Sequence, residues 1–166
     1  MNKSIKLISM SALLAAMIIV LTTFIKIPIG NGYIHMGDSI IYLASCLLPL
    51  PYAAIVAAIS GAMSDALGGF AVFILPTVLI KALITIPFSS KNEKILTKRN
   101  AIMVIPAGVI TVAGYFAACL FIYDWTGAII GLLGDTIQAI VSAVAFLLVS
   151  AALDKVKLKQ TLLPNG

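Results

Sequence analysis

The stretch LISMSALLAAMIIVL, Leu7 to Leu21, contains no charged residue and continues through Phe24 and Ile25 before Lys26 interrupts it. Lys3 and Lys6 precede it, as they would in a secretory signal, yet no clear small-residue cleavage site follows and more apolar runs come after. The run therefore reads as a retained membrane-spanning helix over Ile5 to Ile25, since a hydrocarbon core about 30 Å thick needs roughly 20 apolar residues. Composition agrees. Of 166 residues, 61% are hydrophobic and 10% charged, against roughly 25% charged in an average soluble domain.

Working outward, Pro, Gly and charge punctuation delimits further helices at Asp38 to Leu48, Pro51 to Leu67, Phe70 to Phe88, Ala101 to Ile122 and Gly127 to Leu153. The expected fold is an all-α six-transmembrane-helix bundle, a single integral membrane domain over 1–166 with a long outer loop between helices one and two. The second helix is too short to span, because about 11 residues rise only about 16 Å. Either it starts earlier or Lys26 to Gly37 dips in as a re-entrant loop. Lys3, Lys6, Lys91, Lys94, Lys98, Arg99, Lys155, Lys157 and Lys159 fall on one side when the N-terminus is cytoplasmic, so the positive-inside rule places both termini on the cytoplasmic side of a cell membrane. Attraction to anionic lipid accounts for these lysines, and no interleaved aromatics suggest nucleic acid.

Ionisable residues within apolar segments are the best functional pointers, because each costs roughly 2.5 to 3.5 kcal/mol at mid-helix on insertion scales without a partner or water. Lys81 and Asp135 qualify, at similar depth in helices four and six, where they could pair. Gln138 shares a helix face with Asp135. A polar pocket open to the outside and a buried ion pair that fixes packing are both consistent with them. Asp38, Asp65 and Asp124 lie near outer helix ends and suit caps, with His35 beside Asp38. One imidazole with scattered carboxylates is not a metal set.

Tyr33, Tyr42, Phe70, Phe73, Tyr115, Phe116, Tyr123 and Trp125 fall toward the outer half. Tyr123 and Trp125 suit an interfacial belt, while Tyr42 and Phe73 suit either a pocket or plain packing. Cys46 and Cys119, without CxxC spacing, read as packing residues. Small residues recur every fourth position at Ala12 and Ala16, at Ala53, Ala57 and Gly61, and at Gly127 and Gly131, where backbones can approach closely. No GxxxxGK[ST], HExxH or GxSxG is present, and no two matching halves with interrupted helices. The chain reads as a non-enzymatic small-molecule binder without a cofactor that borrows its energy from a partner.

Several segments, taken in order, resemble the substrate-binding S components of energy-coupling factor (ECF) vitamin transporters. They are Ala12-Leu-Leu-Ala-Ala16, Ile34-His-Met-Gly-Asp38, Pro49-Leu-Pro51, Ser60-Gly-Ala-Met-Ser-Asp65, Pro76-Thr-Val-Leu-Ile-Lys81 and Gly134-Asp-Thr-Ile-Gln138. The resemblance implies a six-helix bundle that binds a vitamin or precursor near its outer face, under the loop between helices one and two. It implies that Ala12 and Ala16 pack on a membrane-embedded coupling subunit, and that two cytoplasmic ATPases supply energy while the S component topples in the membrane. Lys81, Asp135, Gln138, Tyr42, His35, Asp38 and Phe73 are the candidate substrate-binding residues. The favoured ligand is a small heteroaromatic such as pyridoxine or a thiamine-related pyrimidine; an anion such as pantothenate would favour a free Lys81 instead, and riboflavin or a queuosine precursor also stays open. The alternatives are an autonomous secondary or proton-coupled carrier using Lys81 and Asp135, and a structural or regulatory subunit using the small-residue faces alone.

Overall fold

A computed structural model describes residues 3–29 and 32–162. Residues 1, 2, 30, 31 and 163–166, which the expected domain and outer loop include, lie outside the described residues. Helix α1 (Lys3–Thr23) leads into a hairpin of β1 (Lys26–Ile29) and β2 (Gly32–His35), then α2 (Gly37–Leu47) and α3 (Leu50–Gly68). A 3-10 turn at Ala71–Phe73 enters α4 (Ile74–Leu83); α5 (Lys98–Ile102), α6 (Val104–Ile122), α7 (Trp125–Lys155) and α8 (Leu158–Leu162) follow. Among the described residues, four helical stretches are long and apolar enough to cross a membrane: Ser4–Thr23, Leu50–Gly68, Lys98–Ile122 and Trp125–Lys155. The apolar stretches Gly37–Leu47 and Ala71–Leu83 are shorter. Large apolar side chains cover the outside, with Phe121 92% and Leu75 70% exposed, an arrangement that suits lipid rather than water as the surrounding medium.

Each expected stretch contains a helix, but the fourth, expected over Phe70 to Phe88, is a 3-10 turn followed by α4 and ends at Leu83. The fifth divides at Met103 because Pro106 has no N–H and its ring crowds the carbonyl four residues earlier. Thr97 caps α5 by accepting from the Asn100 amide at 3.1 Å. Pro51 sits in the first turn of α3, where a missing N–H costs nothing. Gly69 ends that helix at φ +84°, a conformation that favours glycine, and the Phe70 amide donates back to the Asp65 carbonyl at 2.8 Å. Asp124 caps α7, its carboxylate accepting from Gly127 N at 2.7 Å.

Helix α2 does not start earlier than the sequence suggests. The loop before it pairs as an antiparallel hairpin, Lys26 opposite His35 and Ile27 opposite Ile34, a β element within a chain expected to be all-α. Every residue of α2 is buried, against α1, α3 and α7, while β2 packs on α7. An 11-residue helix surrounded by protein has no lipid contact to satisfy, so its short length is tolerated. A Cβ on Gly37 would collide with Thr22 Oγ1, so glycine permits this close start against α1.

At the opposite end, α2 stops above residues 84–97. Lys157 adopts φ +52° and turns the chain from α7 into α8, so that the Lys159 ammonium donates to the Cys46 carbonyl at 2.7 Å and the Ser90 carbonyl at 2.8 Å. The Asp154 carboxylate accepts from the Ile95 and Leu96 amides, both at 2.8 Å. Buried Asn100 donates to the Ser89 and Ile95 carbonyls and accepts from Ser89 N. This end therefore has defined internal partners for the loop's backbone, while buried Ile84, Phe88 and Ile95 anchor it in the core.

Candidate functional site

Four helices each send an i, i+4 ladder toward the hairpin end: Ile18 and Thr22 from α1, Gly61 and Asp65 from α3, Thr77 and Lys81 from α4, Tyr115 and Cys119 from α6. Helix α7 adds Gly127, Gly131, Asp135 and Gln138 on one face. These ladders line a cavity open at a mouth that Tyr33, His35 and Phe70 help to wall. The glycines create the space. A Cβ on Gly61 would lie 2.7 Å from Thr77 Cγ2 and 3.1 Å from Lys81 Cγ, so its absence lets α4 approach α3 and the lysine stem pass.

Lys81 is 3% exposed and its ammonium donates to Asp38 Oδ1 at 2.6 Å. The candidate partner, Asp135, is not the one it takes: α2 places Asp38 inside the bundle, opposite α4, instead of using it as a cap. Gln138 Nε2 reaches Asp38 Oδ2 at 3.4 Å, so the carboxylate has a neighbour on each oxygen. Lys81 also sits 5.1 Å from the centre of the Tyr115 ring, whose hydroxyl shares a 3.1 Å hydrogen bond with Thr77. Asp135 lines the cavity, half-buried, with no hydrogen bond to another described residue.

His35 lies in the hairpin, outside the spanning helices. Its Nδ1 accepts from the Gly37 amide at 3.1 Å, which places the proton of the neutral ring on Nε2. Burial pulls the imidazole down to about 4 from its ordinary 6.5. Tyr33 in β2 sits 4.9 Å from the Phe70 ring, and the Lys26 ammonium lies 4.5 Å above its face. Burial, the largest cause, and the nearby Asp65 carboxylate raise the Tyr33 phenol well above its ordinary range. Across the mouth, Phe73 packs 5.8 Å from Tyr123 and 6.5 Å from Tyr115.

Of the candidate residues, Lys81, Asp135, Gln138, His35, Asp38 and Phe73 all line this cavity. Tyr42 does not. Fully buried, it stacks on Phe88 at 4.9 Å and meets Phe146 edge-on at 5.9 Å, because it lies one helical turn beyond Asp38 on α2, farther from the hairpin, and packs among these rings instead. Trp125 is 65% exposed beside Phe116, as an interfacial anchor would be, whereas half-exposed Tyr123 also lines the cavity. Sequence reading gave no site role to Thr22, Asp65, Thr77 or Tyr115; the signal was present in the i, i+4 ladders that carry them. Cys119 lines the cavity, and among the described residues no group of three or more His, Cys, Asp or Glu stands close enough to hold a metal ion.

The fold and the cavity define a class: a small membrane protein of apolar helices enclosing a polar and aromatic chamber at one end. The family model described as the S component of the ECF-type riboflavin transporter matches residues 2–155, and the chain belongs to that family. It is thus a component of a membrane transporter, in a family that is not one of enzymes. No curated protein matches the chain.

Proposed function

We propose that this chain is the substrate-capturing subunit of an ECF-type importer for a vitamin or vitamin precursor, and that its ligand is a small neutral or zwitterionic heteroaromatic. The observation that carries the ligand class is the bond from Lys81 to Asp38. An anionic ligand needs a free cation in the cavity wall, and this one is already neutralised inside the bundle, while Phe70, Phe73, Tyr33 and Tyr115 offer faces for a flat ring. Asp135 and Gln138 supply polar contacts, with His35, Asp38 and Phe73 completing the lining that the ligand meets.

The chain acts as a single domain of six spans with both termini cytoplasmic, in a prokaryotic plasma membrane. Its partners are a membrane-embedded coupling subunit and two cytoplasmic ATPases. Ala12 and Ala16 point outward from α1, exposed, and present small side chains for a helix of the coupling subunit. By contrast, Ala53, Ala57 and Gly61 are buried within this chain and serve its own packing. Reconstitution tests the assignment: vesicles holding this chain with the coupling subunit and ATPases should accumulate the ligand on adding ATP, and vesicles holding this chain alone should not. Accumulation by the chain alone would instead support an autonomous carrier built on Lys81 and Asp135.

A further inference from the structure

The cavity is unequal in what it leaves free. Several of its donors already have protein acceptors: Lys81 and Gln138 Nε2 both bond the Asp38 carboxylate, and one of the Thr77 and Tyr115 hydroxyls donates to the other. Two of its carboxylates are less well served. Asp65 is 7% exposed, near the outer end of α3, and its Oδ2 has no hydrogen-bond partner among the described residues. Its Oδ1 meets the Tyr33 hydroxyl only at 3.5 Å. A desolvated carboxylate oxygen without a donor is costly to the fold, and a ligand N–H relieves that cost. Asp135 adds a second carboxylate on the facing helix without a hydrogen bond to another described residue. Tyr33 and Phe70 stand beside Asp65 as an aromatic pair, so a ring seated against them presents its edge to that carboxylate.

We infer that Asp65 is the specificity-determining residue of the site: it selects flat heterocycles that present an N–H donor edge, as an amino-substituted or protonated ring does, over oxo counterparts that present a carbonyl there. The inference rests on the heteroaromatic reading above and names its chemistry. A buried acceptor left facing a carbonyl oxygen gains nothing and loses its hydration, which is why sites built around one buried polar group discriminate strongly between near-isosteres.

The test is calorimetric titration of the purified full chain with 4-amino-5-hydroxymethyl-2-methylpyrimidine and with its 4-oxo counterpart, on the wild type and on Asp65→Asn. The wild type should bind the amino ring at least about tenfold more tightly than the oxo ring. Asp65→Asn, which can donate as well as accept, should erase or invert that ratio while its melting temperature confirms that it folds. An unchanged ratio in folded Asp65→Asn, or a wild type that prefers the oxo ring, would overturn the inference. If Asp65→Asn does not fold, the wild-type ratio alone decides. Binding of neither ring by the folded wild type would also overturn it, and would count against the heteroaromatic reading itself, since that failure appears before any substitution is made.

Discussion

Asp38 shows how a residue's role follows from what faces it. Its position at the start of a helix suits a cap, yet its carboxylate holds Lys81 at 2.6 Å with Gln138 beside it. Breaking such a buried pair by removing one partner typically costs about 3 to 5 kcal/mol. Lys81→Met and Asp38→Asn should therefore each lower the melting temperature markedly, and the double variant should recover part of the loss in thermal unfolding. Asp135→Asn behaves differently, because no protein hydrogen bond depends on it: ligand affinity should fall while the melting temperature stays near that of the wild type. Equal destabilisation by all three single changes would mean that Asp135 is scaffold. His35 gives a pH test. Its folded value, lowered to about 4 from 6.5, makes the native state bind fewer protons than the unfolded one, so its contribution is complete above about 6.5 and is lost as pH falls toward 4. The wild type should lose more stability than His35→Gln across that window, measured as the difference between their unfolding curves. Lys81, Asp135 and Gln138 were legible in the sequence because charge and amide are conspicuous in an apolar helix. The pairing of Lys81 was not, because α2 begins beneath a hairpin and helix periodicity says nothing about the partner across a bundle.

Elements divide here into those that face lipid and one that does not. The apolar runs identify α1, α3, α6 and α7 directly, since burial in lipid demands length. Helix α2 is short because it is surrounded by protein, and its hairpin was invisible to periodicity, since alternation over four residues in each strand is too brief to register. Helix α1 has two uses on different faces: Leu14 and Ile18 are buried, while Ala12 and Ala16 face outward. Ala12→Leu or Ala16→Leu should abolish ATP-driven uptake with ligand affinity nearly intact, measured by uptake into vesicles and titration of the isolated chain; normal uptake would remove α1 from the coupling surface. At the other end, the Asp154 carboxylate satisfies two loop amides at once. Asp154→Ala should cost about 1 to 3 kcal/mol, the usual penalty for stranding buried polar groups, and hydrogen exchange should quicken at Ile95 and Leu96 before it does in α2.

For the whole molecule, the chamber is assembled from ladders on five helices and closed by a hairpin, so no single segment of sequence contains it. Composition and charge order were enough to read a small apolar bundle, and the resemblance of ordered segments was enough to read the S-component family. The identity of the ligand was hidden because it depends on which donors remain free after the bundle has satisfied itself. The central claim, that this chain captures a small heteroaromatic molecule by itself, is tested most directly by native mass spectrometry of the chain purified from cells grown in rich medium and released gently from detergent. The account predicts a retained vitamin-sized mass that fragments as a nitrogen heterocycle and is absent from Asp135→Asn. A chain that emerges empty and stays empty after incubation with a panel of vitamins and their precursors would contradict it.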